Sequence, residues 1–484
     1  MDSLVELVTD VNDFYWYGVI VLLVGLGLYF TVRSRFVQLR LLPDMLRSVT
    51  EPAEQLPDGT KGISAFRAFS ISAASRVGTG NIAGVAIAIS VGGPGAVFWM
   101  WVMAIIGAAS AFIESTLAQV YKIRDKDGGF RGGPAYYMLH GLRRRWMGVI
   151  FAVVITVTYG FVFNAVQTNS IVDAVSTSLD TDNRGVAIAV GVVVAGLTAA
   201  VIFGGVRRIS AVSQIVVPLV AGAYLALALL VVVLNITEVP RMVTLILENA
   251  FGIREVVSGG FAAAFMNGIR RGLFSNEAGM GSAPNAGATA AVSHPVKQGL
   301  VQSLGVYFDT LLVCSATAFV ILLSDPEYGT KAGASLTQNA LGAELGGWTV
   351  HFLTVTIFFL AFTSVIGNYY YGETNIEFLT ESKRVRTGFR ALVVVCVFAG
   401  AIGSVPLVWA LADLVMGVMA TVNLLALLPL SGVAFLLFRH YSRQRAEGKD
   451  PTFHRYELPE IDGIQVWEQT TPESGQDGRI STHG

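Results

Sequence analysis

Charge is what this sequence lacks most. Only 14% of its 484 residues are Asp, Glu, Lys or Arg, where soluble domains carry roughly 25%. Cysteine is nearly absent as well. Cys314 and Cys396 alone exclude a disulfide-built secreted fold. There is no excess of positive charge: 33 basic against 34 acidic residues leave a net charge of −1. Nucleic-acid phosphates would find no attraction there. The six histidines are scattered, and no pair has metal-site spacing. No GxxxxGK[ST] run occurs, so direct use of ATP is not expected. What is abundant is apolar. The chain is 53% hydrophobic, with a mean hydropathy of +0.60. That excludes disorder and points to one polytopic membrane domain, not the three soluble domains that length alone suggests.

A helix crosses the hydrocarbon core with about 20 apolar residues. The first such run is 14–32. It is read as a retained span, because residues 1–13 are acidic and a cleaved signal peptide starts basic. Further runs cover 66–92, 95–121, 147–175, 185–205, 211–235, 255–292, 298–323, 347–380, 389–408 and 410–438. The expectation is an all-α integral membrane protein of about eleven spans. Cations follow every odd span: Arg33, Arg35, Arg40 and Arg47, then Lys122, Arg124, Lys126, Arg131 and Arg143 to Arg145, then Arg207 and Arg208, Lys297, Lys383 to Arg390, and Arg439 to Arg445. The alternate loops hold few, chiefly Arg184, Arg241, Arg254 and Lys331. By the positive-inside rule the N-terminus lies outside and the C-terminus in the cytoplasm of a cell (inner or plasma) membrane. Residues 440–484 read as a flexible cytoplasmic tail. Tyr136 and Tyr137 read as interface residues at headgroup depth, and Phe98, Trp99 and Trp101 as an aromatic belt.

Two spans are interrupted. One reads SAASRVGTGNIAGVAIA from Ser72, the other AFMNGIRRGLFSNEAGMGSAPNAGATA from Ala264. Opened backbone groups cost several kcal/mol each in lipid, so they persist only where protein, water or a ligand meets them. These spans begin two five-helix units, 66–235 and 255–438, with 1–35 as an extra helix before them. Five is odd, so the second unit starts from the opposite side of the membrane. That is the inverted repeat of secondary transporters, whose ligands bind at the midplane between broken helices.

At these residues the chain resembles the alanine or glycine:cation symporters. The resemblance rests on GGPGAVFWMWVMAIIG from Gly92, VGTGNIAGVA from Val77, RGGPAYYM from Arg131, RGLFSNEAGMGSAPNA from Arg271 and GNYYYGE from Gly367. It runs from about residue 14 to about 440. It implies a LeuT-like 5+5 inverted repeat preceded by one helix. It also implies uptake of alanine or glycine by symport with sodium, with no other cofactor and no enzymatic activity. A shorter resemblance links VGTGN (Val77–Asn81) and AFTS (Ala361–Ser364) to the neurotransmitter:sodium symporters. It implies a sodium site of Thr363 and Ser364 hydroxyls with the carbonyls of Ala74, Val77 and Leu360. Neutral oxygens of this kind suit a hard monovalent ion.

A zwitterionic amino acid needs donors for its carboxylate and acceptors for its ammonium. The backbone N–H groups at Thr79 and Gly80 are expected to hold the carboxylate. Gly78 and Gly80 allow close approach, and Thr79 and Asn81 can add side-chain bonds. Glu277 either receives the ammonium or pairs with Arg270, Arg271 or Arg76. Asn276 binds either substrate or the broken backbone. Gly279 belongs to the same wall. Phe163 and Gln167, four apart on one helical face, either close the pocket or, for Phe163, pack in the core. Glu114, Asp309 and Asp413 each read as cation ligand, proton carrier or interhelical partner. The partners expected are a small amino acid, sodium and the lipid bilayer, without nucleic acid. Oligomeric state stays open, with a monomer among the readings. Rival functions are proton-coupled symport or exchange on the same fold through Glu277 or Asp309, a membrane enzyme, for which no catalytic constellation is found, and an ion channel, for which no charged ring or filter loop is found.

Overall fold

The computed structural model describes residues 2–56, 59, 61–125, 128–204, 206–253, 260–326, 328, 329 and 333–468. Lys126, Arg254, Lys331 and residues 469–484 lie outside the described residues, as do the side chains of Arg207 and Arg208.

The chain opens with α1 (Asp2–Arg33), α2 (Val37–Arg40), α3 (Leu42–Thr50), α4 (Ala65–Arg76), α5 (Val85–Gly92) and α6 (Gly95–Val120). A ribbon of β1 (Ile123–Arg124) and β2 (Phe130–Arg131) leads to α7 (Pro134–His140), α8 (Arg145–Val157), α9 (Phe163–Leu179), α10 (Arg184–Ile202), α11 (Val206–Leu234) and α12 (Val239–Ala250). Then come α13 (Gly260–Asn276), α14 (Ala283–Gly287), α15 (Pro295–Val306), α16 (Ser315–Leu323), α17 (Ala334–Leu345), α18 (Trp348–Leu379), α19 (Lys383–Ile402) and α20 (Val405–Ala446).

Nine helical stretches among the described residues are long and apolar enough to cross a membrane. The pair α4 and Gly80–Gly92, bent by 52°, makes a tenth. The seventh expected span is missing from this set for the reason that marked it in the sequence. Its polar, Gly-rich run splits into a helix of 17 residues and one of 5, parted at Glu277–Ser282.

Among the described residues three turns are wound wider than an α-helix: Gly80–Gly84, Thr158–Val162 and Tyr307–Cys314. Such π-turns re-aim side chains and cluster at functional sites. Here they carry Asn81, Tyr159 and Asp309. The last has neither Gly nor Pro to announce it, so 298–323 read as a plain run. Short helices α12 and α17, unanticipated in the sequence, pack against the spans. The Trp99 indole donates to Ala250 O of α12 at 3.1 Å, and the Thr337 hydroxyl of α17 donates to Ile82 O at 3.3 Å. Helix α1 lies along α20, where Asn12 and Trp16 donate to Ala410 O and Asp413 O at 2.8 and 3.2 Å.

Tyr137 is fully buried and its hydroxyl donates to Asn423 of α20. One expectation is corrected. The described part of the tail is not free. Phe453, Leu458, Ile461, Val466 and Trp467 are buried. Spaced among polar residues they escape a hydropathy reading, yet together they form a strap with its own apolar side. The Trp467 indole donates to Gln119 O at 3.0 Å. Lys122 lies between the rings of Phe130 (3.9 Å) and Trp467 (4.5 Å), and its ammonium donates to Gln119 Oε1 and Ala290 O, both at 2.8 Å. Trp467→Ala would remove a cation–π face and a large buried side chain. It should cost about 3–5 kcal/mol, read as a lower unfolding temperature in detergent. An unchanged temperature would return the strap to the status of a loose tail.

Candidate functional site

Helix α4 unwinds at Val77 (φ −78°, ψ 88°). The freed donors are met by side chains, one local and one from another helix. Gly78 N–H donates to Asn81 Oδ1 at 3.0 Å, and Thr79 N–H to Gln167 Oε1 of α9 at 3.3 Å. The glycines are there for space. A Cβ on Gly78 would strike the Ser364 hydroxyl and lie 3.1 Å from Gln167 Oε1. On Gly80 it would sit 3.1 Å from the Phe274 ring and 3.2 Å from Ser275 Cα. The start of one half-helix therefore touches the end of another, since Ser275 lies in the last turn of α13.

Four of the five expected cation ligands meet between α4 and α18. The Ser364 hydroxyl lies 2.9 Å from Ala74 O and 3.0 Å from Leu360 O, so one proton is shared between two carbonyls. Thr363 donates to Leu360 O at 2.9 Å. Both hydroxyl residues are fully buried. Val77, the fifth, stands where α4 unwinds, its N–H on Ala73 O at 2.8 Å.

The second break is held by acids. Glu277, Gly279 and Gly281 all have left-handed backbone (φ 57°, 87° and 83°). Glu114 of α6 accepts Gly279 N–H at 3.2 Å, Gly281 N–H at 3.0 Å and the Asn423 amide at 2.9 Å. Its carboxylate replaces the missing helix partners, a role the sequence reading did not assign to it. Glu277 accepts from Ser75 Oγ (2.9 Å) and Ser282 Oγ (2.6 Å), tying the end of α4 to the far side of the break. It does not pair with Arg270 or Arg271. Arg270 reaches Asp13 at 3.0 Å and Arg271 reaches Asp413, so Asp413 is an interhelical partner. Arg76 makes no ion pair among the described residues. Its charge still acts on Glu114, Glu277 and Asp309, and its NH1 donates to Gln302 O at 3.4 Å.

Several expected substrate contacts are occupied within the protein. Asn81, besides accepting from Gly78, donates to Asp309 Oδ1 at 2.6 Å and Ser275 Oγ at 3.1 Å. Asn276 accepts Ala278 N–H at 3.0 Å and donates to Thr310 at 3.3 Å, so it braces the broken backbone. Gly279 is held at both ends, by Glu114 and by Asn423. Asp309 accepts from Asn81, Ser275 (2.6 Å) and Thr310 (3.0 Å). What remains open is the Thr79 hydroxyl, buried and without a partner among the described residues. Beside it runs a layer of rings: Tyr159–Phe163, Phe163–Phe274 and Phe274–Trp409, each pair 4.8 Å between centroids. Phe163 was anticipated. Phe274 was missed although it directly precedes Ser275 in the broken motif, and Trp409 carried no local signal.

The sodium:alanine symporter family model matches residues 1–455. The chain belongs to this family. Among curated relatives, the amino-acid carrier protein AlsT of Bacillus subtilis is 50% identical over 97% of this chain and 99% of its own length. The probable sodium/glutamine symporter GlnT of the same organism is 49% identical over 96% and 97%. Among solved structures, MhsT in complex with L-phenylalanine superposes with a TM-score of 0.52 at 13% identity, covering 80% of this chain and 99% of that one. That likeness is one of fold, the LeuT-like fold that the resemblance implied.

In this symporter Glu114→Gln places an NH2 where a glycine N–H needs an acceptor. One unmet buried donor costs about 1–3 kcal/mol. The variant should unfold at a lower temperature than the parent, and further below it than Ser282→Ala, which removes one hydroxyl from an acid that keeps another. Equal stability of Glu114→Gln and parent would show that the carboxylate does not hold the break.

Proposed function

We propose that this chain imports a small neutral amino acid, alanine or glycine, together with sodium by alternating access. The observation that carries the reading is the contact of Gly80 with Ser275. The N-terminal end of a half-helix carries positive partial charge and the C-terminal end of a helix carries negative. Side by side, they form a slot polarised for a zwitterion. The carboxylate would take the Thr79 and Gly80 N–H groups with the open Thr79 hydroxyl, displacing Gln167. The ammonium would take the free carbonyls ending α13, because Glu277 is already held by Ser75 and Ser282. Phe163, Phe274 and Trp409 would bound the side chain.

Sodium would enter among Ala74 O, Val77 O, Leu360 O, Thr363 and Ser364, replacing the shared Ser364 proton contacts. It would fix the unwound end of α4, the same strand of backbone that receives the carboxylate. The reading includes an inverted repeat of 66–235 and 255–438, an outside N-terminus and a cytoplasmic C-terminus in the cell membrane. The breaks at the head of each unit and the alternating basic loops support it.

Labelled alanine should accumulate in proteoliposomes under an inward sodium gradient at fixed pH. Accumulation that persists when choline replaces sodium would reject the proposal. It would favour coupling to protons through buried Asp309, the acid bonded to Asn81 of the unwound segment. Thr363→Ala with Ser364→Ala should raise the sodium concentration for half-maximal uptake by about tenfold or more, the equivalent of 1.4 kcal/mol. A normal sodium dependence in that variant would move the cation elsewhere.

A further inference from the structure

Where α1 leaves the bundle, the chain makes a turn that L residues avoid. Arg35 and Phe36 both have positive φ, 55° and 57°. Two such residues in succession are costly and persist where the surroundings require them. The turn folds α2 back, so that Arg40 joins Arg33 and Arg35 around one cavity of about 460 Å³. Arg439 joins them from near the end of α20. Phe435 and Phe438 complete the lining, with the Arg33 guanidinium 5.4 Å from the first ring and that of Arg40 5.9 Å from the second.

None of these four arginines has a carboxylate partner among the described residues, although acids are at hand nearby. Arg445 pairs with Asp44 at 2.7 Å, and Arg47 with Glu51 and Asp450. Four like charges gathered in one concavity repel one another, and a strained turn keeps them there. Val32, Phe36 and Leu39 are exposed on the same turn, as are Leu42 and Leu46 on α3. Apolar side chains exposed at the end of a spanning helix lie at the membrane interface.

We propose that this cavity seats an anionic phospholipid. Its headgroup phosphate binds Arg33, Arg35, Arg40 and Arg439, and its acyl chains run along the apolar surface between α1 and α20. Basic pockets between spans take such headgroups. Four guanidinium groups match a lipid with two phosphates better than one with a single charge. The lipid clamps the extra helix to the last span at the end where both emerge. Which leaflet supplies it follows the orientation proposed above.

Native mass spectrometry of the full chain in detergent tests this without reading transport. The parent should retain added cardiolipin more tightly than phosphatidylglycerol, and both far more tightly than phosphatidylcholine. R33Q/R40Q/R439Q should weaken cardiolipin retention roughly a hundredfold, about fivefold per arginine, while R443Q, exposed and outside the cavity, should match the parent. Should the triple variant not fold, Arg439→Gln alone should give about a fivefold loss. Equal retention by these variants and parent would overturn the proposal. So would displacement of the lipid by inorganic phosphate, which would make the cavity a site for a free anion.

Discussion

The structure depends on one constraint. Backbone N–H and C=O groups inside hydrocarbon have no water to fall back on, so each must be satisfied within the protein. Every break in a spanning helix therefore needs a supplier. At Gly78 and Thr79 the suppliers are the amide oxygens of Asn81 and Gln167. At Gly279 and Gly281 the supplier is the Glu114 carboxylate. The breaks are thus not loose segments. Each is pinned by a polar side chain from a neighbouring element, and those side chains must be in register before the helices can open. This is why the two breaks lie against each other. Ser75 and Glu277 join them directly, and a buried acid with no such hydroxyls would be costly to keep.

The same constraint explains the use of scarce charge. Glu114, Glu277 and Asp309 serve mainly as strong acceptors for N–H, amide and hydroxyl groups. Arg271 and Asp413 show the other use, a buried ion pair that joins α13 to α20. Such a pair adds little net stability, but losing one partner costs about 3–5 kcal/mol. It fixes which face of α13 meets α20, and so where Phe274 and Trp409 meet.

Legibility in the sequence followed locality. Apolar runs and Gly-rich interruptions are local signals, and they located the ten candidate spans and the break at Glu277–Ser282. The resemblance to the symporters grouped Thr363 and Ser364 with Ala74 and Leu360; the Ser364 hydroxyl reaches Ala74 O, and that of Thr363 stays on Leu360 O of its own helix. Roles that depend on distant partners were not legible. Nothing near Glu114 in sequence marks it as a cap for Gly279, 165 residues on. Nothing near Asn81 shows that its amide is spent on Asp309. The wide turn at Tyr307–Cys314 leaves no trace in composition, and the strap ending in Trp467 hides its apolar residues among polar ones.

The coupling of two ligands follows from how few groups hold the first break. In the proposed mechanism sodium acts at Ala74, in the last turn of α4, and at Val77, while the amino-acid carboxylate acts at Thr79 and Gly80, six residues or fewer away along the same stretch of chain. Neither ligand needs to touch the other. Each favours the same backbone arrangement, and by linkage whatever sodium adds to amino-acid affinity the amino acid adds to sodium affinity. Gln167 is the competitor in that exchange. It holds Thr79 N–H through a contact of 3.3 Å, longer than the usual N–H···O bond. A neutral amide at that distance satisfies the donor yet yields to a carboxylate, whose bond would be charge-assisted. A carboxylate side chain in its place would bind the segment too well and oppose the substrate. An aliphatic one would leave a buried donor bare. An amide avoids both penalties, and so leaves the segment ordered but open to exchange.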